Sequence, residues 1–386
     1  MNPLYKLLSS LKLTVVLLAF SMLLVFFGTL DQIHLGIHKA QTIYFESFFT
    51  VWPFREAGYS LTELGLPLPG GFLIGILLIL NLSCSHFRYF RKSWKKTGIA
   101  LIHTGVALLI ASGFLTSFLQ KETQMWIDEG AESNYTTDPK DAELVIIETT
   151  DPKKDIVTSI PHEQMTRGTT LTHENLPFSI NVLEYFSNSA SGKPTKEDPG
   201  LIANEGIGAK MQFKIFEAPM TYRHDTINTP SSLIHITADK KDLGKWIVSP
   251  FFNDRFSTQT FNFQDKTYTI SLRPRRKYLP YSIKLVDFKH DVYPGTTIPK
   301  NYSSKVEITH HEKKEVRPAL IYMNHPLRYE GLTFFQASFG KNNTASMFQV
   351  VKNEGWLIPY IAVALVGIGM IVQFMMHLIK FLKKSK

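Results

Sequence analysis

Four long runs almost free of charge constrain this chain more than anything else in it. They cover 13–30, 71–87, 97–119 and 356–379. Each approaches the roughly 20 apolar residues that a helix needs to cross a bilayer. The block between the third and fourth runs, about 120–355, is polar, rich in Pro and Thr, and contains no such run. The expected fold is therefore a membrane protein with four transmembrane α-helices, three N-terminal and one C-terminal. Between them lies one large β-rich, sandwich-like extracytoplasmic domain.

The boundaries follow from the same pattern. Residues 1–119 form the N-terminal membrane region, with helices at about 13–30, 71–87 and 97–119 and an outer loop at 31–70. Residues 120–355 form the outer domain, and 356–386 the last helix with a basic tail. The first run is long for a signal peptide, and "FFGTLDQ" offers no small-x-small cleavage site, so an uncleaved helix is expected.

The net charge of +9 is not a nucleic-acid signal. Residues 120–355 carry as many Lys and Arg as Asp and Glu. The excess sits beside the helices: Lys6 and Lys12, then Arg88, Arg91, Lys92, Lys95 and Lys96, then Lys380, Lys383, Lys384 and Lys386. The connection between helices one and two instead has Lys39 and Arg55 against Asp31, Glu46, Glu56 and Glu63. By the positive-inside rule both termini and the second connection are cytosolic, and the large domain is outside.

Within the outer domain, alternation predicts strands at 142–150, 178–186, 210–218, 232–239, 281–295 and 304–324, with a hairpin over "FNFQDKTYTISL" (261–272). The segment 187–208 reads as a mobile loop, and "RPRRKY" (273–278) as a solvated strand end. The aromatic stretch 44–54 reads as an interfacial or re-entrant helix. The one cysteine, Cys84, rules out a disulfide in the outer domain, and there is no C-x-x-C-H. No phosphate-binding loop, nucleophile elbow or H-E-x-x-H occurs. His310–His311 reads as part of a solvated charged turn. His162, His173, His224, His235, His290 and His325 show no ligand spacing.

The membrane helices hold more chemistry. A polar side chain in a bilayer is costly, so an intramembrane histidine is a functional candidate. There are three: His86, His103 and His377, all expected toward the cytosolic side. His103 is the deepest, about 10 Å along its helix from Lys96. Ala100, Thr104, Ala107 and Ala111 form a small-residue stripe near it, which lets a helix or flat ligand approach. The residues alone leave His103 open between a structural hydrogen-bonding role and a ligand role.

Several segments resemble the ResB (CcsB) family of cytochrome c biogenesis proteins, the system II pathway. "LLSSLKLTVVLLAFSMLLVFFGTLDQ" (7–32) is similar to that family's opening. "FLIGILLILNLSCSHFRYFRK" (72–92) is similar to its second helix, and "NHPLRYEGLTFFQASFG" (324–340) to the segment before its last helix. The resemblance implies a multi-pass protein of the bacterial cytoplasmic (inner) membrane, or of the thylakoid membrane for a plastid member, with a periplasmic domain. It implies haem transport and delivery to apocytochrome c CxxCH motifs. The expected partners are a ResC/CcsA-type multi-helix protein, apocytochrome c and a thiol-reducing protein. This chain would then be the accessory subunit of a cytochrome c synthase whose attachment site lies in the partner. Such a reading gives no catalytic residue here. It makes His103 an axial ligand of haem b iron, with His86 and His377 as further haem-binding candidates. The alternative is a non-enzymatic membrane scaffold that orients a partner without touching haem. A transporter subunit is disfavoured by the small number of helices, and a sensor by the lack of a cytosolic output domain.

Overall fold

The structure, a computed structural model, describes residues 2–56, 59–89, 96–193, 201–221, 228–238, 241–253, 256, 258–296, 299–340 and 344–384. Arg91, Lys92, Lys95, His224 and residues 194–200 of the expected mobile loop lie outside the described residues. The chain forms two compact units. One comprises Met1–Lys121 with Lys352–Lys386, the other Glu122–Thr221 with Thr226–Val351.

The first unit contains four helices long and apolar enough to cross a membrane. A short α1 (Pro3–Leu8) breaks at Ser9–Ser10 before α2 (Leu11–Ala40). In hydrocarbon, backbone groups freed at such a break cost several kcal/mol unless satisfied. Asn81 of α3 (Gly71–Tyr89) supplies the partner. Its Nδ2 donates to the Leu8 carbonyl at 2.7 Å and the Ser10 carbonyl at 3.1 Å, and its Oδ1 accepts from Thr14 at 2.6 Å. The Arg88 guanidinium donates to Ser9 Oγ at 2.6 Å, which binds the same break from the end of α3.

At its other end α2 runs ten residues beyond the expected boundary and leaves helical geometry at Gly36 (φ 73°). A buried hydrogen bond from Tyr44 to Asp31 (2.6 Å) closes the following turn. The aromatic stretch 44–54 is not the interfacial helix expected. It enters a hairpin of β1 (Phe49–Glu56) and β2 (Tyr59–Pro69). Alternating Phe, Val, Trp and Phe with Pro53 suit a strand and disfavour a helix interior.

Next come α4 (Thr97–Leu119) and, after the second unit, α7 (Ile358–Lys384). Gly98, Gly105 and Ser112, seven apart, form the buried face of α4. A Cβ on Gly105 would lie 2.7 Å from the Ala362 carbonyl, and one on Gly369 would lie 2.8 Å from the Gly98 carbonyl. The two backbones therefore touch directly, as small residues allow in membranes. α7 packs on the glycine face, and Thr104 of the Ala100/Thr104/Ala107/Ala111 stripe is exposed.

The second unit begins with β3 (Lys121–Asp128), β4 (Glu132–Asp151), β5 (Lys154–Pro161) and a single 3-10 turn at His162–Gln164. It continues with β6 (Thr170–Leu171), β7 (Ser179–Phe186), β8 (Ser189–Gly192), β9 (Leu201–Ile202), α5 (Gly206–Lys210) and β10 (Lys214–Glu217). Then follow β11 (Ser231–Ala238), β12 (Lys241–Val248), α6 (Pro250–Asn253), β13 (Gln259–Phe263) and β14 (Lys266–Val292). The last strands are β15 (Pro299–His310), β16 (Glu315–Tyr322), β17 (Leu327–Tyr329), β18 (Leu332–Gly340) and β19 (Ala345–Lys352).

A ten-stranded antiparallel sheet orders them β16-β15-β14-β4-β3-β19-β18-β17, with β13 beside β14 and β5 beside β4. A four-stranded sheet runs β12-β11-β7-β6 and a three-stranded one β8-β10-β9. The 27-residue β14 is the spine. Its first half gives Tyr268, Ile270 and Leu272 to a core shared with Ile180, Val182, Ile234 and Trp246 of the four-stranded sheet. Its second half gives Tyr281, Ile283, Leu285 and Phe288 to a second core with Val306, Ile308, Phe334 and Phe348. The other face of the four-stranded sheet is covered as well, by Ile207, Ile215 and Phe252. Sheets stacked around these cores make the domain sandwich-like, as expected.

Two strand expectations need correction. The segment 210–218 is a strand only at β10, because α5 ends at Lys210 and the chain turns through Met211–Phe213, with Gln212 left-handed (φ 52°). "RPRRKY" lies in the middle of β14 rather than at a strand end, with one register shift inside it after Pro274 and another after Tyr278. The 261–272 hairpin is present, with Gln264 and Asp265 both left-handed (φ 51° and 59°), as a tight two-residue turn requires.

The glycine contact gives a direct prediction. Gly105→Val drives a branched side chain into the α7 backbone and should destabilise the helix pair by about 1–3 kcal/mol. Gly113→Ala, where a Cβ meets nothing within 4 Å, should be neutral. Thermal unfolding of the detergent-solubilised protein distinguishes the two.

Candidate functional site

The α3–α4 pair sets the position of the membrane histidines. Near one end, Gly75 packs under Phe114, where a Cβ would sit 2.9 Å from the ring. Eleven residues further along α3 is His86, and eleven residues back along α4 is His103. Eleven residues are close to three helical turns, so both imidazoles return to the face the helices share. Their ring centroids are 6.2 Å apart with planes at 71°, an edge-to-face contact. His103 is half-buried, and it has no hydrogen-bond partner among the described residues.

His377 is not brought into this pair. It is exposed on α7, where its Nε2 lies 2.9 Å from Gln373 Nε2 on the preceding turn of the same helix. Gln373 itself packs against Gly98, across α4 from the His86 side. Sequence reasoning passed over Gln373 because it searched the spans for histidine. The signal was an amide one turn before His377. Of the three membrane histidines, the structure therefore pairs two and gives the third a local partner. An imidazole that carries no proton on one ring nitrogen can ligate iron through it.

The histidines of the second unit have other surroundings. His310 is buried against Tyr281 (ring centroids 6.0 Å) and accepts the Lys313 backbone N–H at 3.3 Å, so it is a packed turn residue rather than a solvated one. His290 stacks on Tyr302 at 4.9 Å and lies 4.5 Å from the tilted Phe339 ring, which is itself 5.1 Å from Tyr302.

The basic run on β14 is also accounted for within the domain. Alternate residues share a face of a strand, and those of β14 meet acids on β4. Arg273 pairs with Glu143 at 2.9 Å, Arg275 with Asp141 at 3.0 Å and Lys277 with Asp138 at 3.1 Å. On the other parity Arg276 lies 4.0 Å over the Tyr135 ring. The Arg273–Glu143 pair is nearly solvent-free, with side chains 12% and 5% exposed, and Ser159 adds a hydrogen bond to Glu143 at 2.5 Å.

These features define a multi-pass membrane protein with a large β-rich domain between its third and fourth spans. Residues 244–356, from within β12 to just before α7, match the model of the ResB-like family. That stretch includes the 324–340 motif, so the resemblance drawn from the sequence holds there. The chain is also similar to protein NrfI of Wolinella succinogenes, at 23% identity over 311 residues. The match covers 78% of this chain and 29% of NrfI, so the chain spans under a third of the length of that relative.

The buried pair at the start of the basic run predicts an asymmetric mutational response. Arg273→Met leaves Glu143 charged and desolvated, which should cost about 3–5 kcal/mol. The double change Arg273→Met/Glu143→Met should recover most of that loss. Chemical denaturation followed by tryptophan fluorescence, in the full chain, reads both.

Proposed function

We propose that this chain acts in cytochrome c biogenesis as the haem-handling subunit of a membrane complex that exports haem and presents it to apocytochrome c. The observation that carries this reading is the half-buried His103 imidazole beside His86 in a membrane span of a ResB-like chain. The basic clusters next to the helices support an orientation with both termini in the cytosol and the β domain outside an inner membrane. His103 then lies toward the side from which haem arrives.

Haem b is the cargo in this account. Bound iron would take one axial nitrogen from His103, with His86 alongside. The second axial ligand and the site of thioether formation are assigned to a ResC/CcsA-type multi-helix partner. The exposed Thr104 and its alanine neighbours leave a side of α4 that α7 does not cover. Lys96, at the start of α4, is the described cation nearest along the chain and suits the haem propionates. The β domain holds no assigned bond-making residue, and its role is to keep partner and apocytochrome in register. His377, hydrogen-bonded on its own helix, receives no iron-ligand role.

The test is holocytochrome c formation in cells lacking the native chain, read by haem staining and normalised to immunoblotted chain. His103→Ala should lower holocytochrome at least tenfold, added imidazole should restore part of it, and His377→Ala should stay near wild type. Full activity of His103→Ala would overturn the proposal.

A further inference from the structure

Three donor side chains converge on the β domain surface. The antiparallel register that pairs Pro161 of β5 with Glu143 of β4 ends β5 beside Asp141. The chain then turns through His162–Gln164. His162 and Glu163 are thereby placed next to Asp141, although some twenty positions separate them in sequence. No local motif marks this, so the sequence reading left His162 among the unassigned histidines.

The geometry is specific about which atoms face each other. His162 Nδ1 lies 2.7 Å from Asp141 Oδ1 and 3.5 Å from Glu163 Oε2. All three ligand atoms fall within 4.8 Å of one another. The outer oxygens turn the other way, toward Arg275, whose Nη1 is 3.0 Å from Asp141 Oδ2 and 3.9 Å from Glu163 Oε1. Each carboxylate thus gives one oxygen to the imidazole and one to the guanidinium. The His162 ring is fixed in turn by stacking on Tyr185 of β7 (centroids 6.0 Å, 30°).

We propose that Asp141, His162 and Glu163 form a binding site for a divalent late first-row metal ion of the zinc type. Metal–donor bonds of about 2.0–2.2 Å place neighbouring donor atoms roughly 3–3.5 Å apart, and the two measured separations bracket that range. One imidazole and two carboxylates suit zinc, nickel or cobalt. The nitrogen donor disfavours calcium, and the absence of sulfur disfavours copper(I). Three protein donors leave the fourth position to water or an incoming group. Arg275 serves as the outer partner that orients both carboxylates, a recurring arrangement around metal ligands.

The local charge agrees. Two carboxylates face one guanidinium beside the His162 imidazole. Tyr185 registers the field: burial, and then the charges of Asp141 and Glu163, push its hydroxyl up to about 12. Burial acts to raise Asp141, but the Arg275 and His162 interactions outweigh it and hold that carboxyl below the usual range, ionised and able to bind a cation.

The test uses the full chain, purified in detergent without a histidine tag and stripped with chelator. Zn²⁺ is titrated against a competing chromophoric chelator. Wild type should bind one equivalent more than His162→Asn or Glu163→Gln, and Zn²⁺ should raise the unfolding midpoint of wild type only. Glu163 is 59% exposed, so its variant keeps the test decisive if His162→Asn misfolds. Equal stoichiometry in wild type and Glu163→Gln, or no Zn²⁺ bound by wild type, would overturn the proposal and leave an ion-pair cluster only.

Discussion

The membrane unit is organised by one constraint: hydrocarbon offers no hydrogen bonds, so every polar group placed there needs a partner from the protein. Asn81 meets it for the α1–α2 break by bonding Leu8, Ser10 and Thr14 together, which also ties α3 to the N-terminal helices. The Tyr44–Asp31 bond meets it where α2 turns back. Gln373 and His377 pair within α7. α4 and α7 need no polar contact between them, because their glycines let backbone meet backbone. Against this background His103 stands out. It is a titratable group within a span, its ring meets another imidazole edge to face, and it has no hydrogen bond among the described residues.

The β domain answers a different requirement, the burial of three cores in one chain. β14 does this by being long enough to pass from one core to the next, and its pairing with β4 shifts register at the transition. The register shifts lie at Pro274/Arg275 and Tyr278/Ile283, where the strand's basic residues face β4. Ion pairs with Glu143, Asp141 and Asp138 hold the two strands together across the transition. The ResB-like match ends just before α7, and the 324–340 motif within it has a structural reading. Gln336, Ser304 and Ser346 form a network of hydrogen bonds between 2.6 and 3.3 Å that joins β18, β15 and β19.

What the sequence disclosed was periodic or cumulative. Charge-free runs marked the spans, alternation marked most strands, and a histidine inside a span marked His103. What stayed hidden depends on pairing between distant segments. The His86–His103 contact follows from the register of α3 on α4, fixed by Gly75 under Phe114, which no local pattern records. The glycine face of α4 was overshadowed by its alanines, because a seven-residue glycine spacing is sparse. Arg273, Arg275 and Lys277 read as solvated because their acids lie on another strand. Residues 44–54 misled because aromatic density is common to interfacial helices and strands, and Pro53 was given too little weight. Asp141 and His162 meet only through the β4–β5 register.

The central claim is that His103 gives a nitrogen to haem iron. Pulsed electron paramagnetic resonance on the haem-loaded complex, with the chain labelled by ¹⁵N-histidine, tests it most directly. The account predicts a ¹⁵N hyperfine coupling to iron that disappears in His103→Ala and is replaced by a ¹⁴N coupling when unlabelled imidazole is added. A ¹⁵N coupling of unchanged strength in His103→Ala would contradict it.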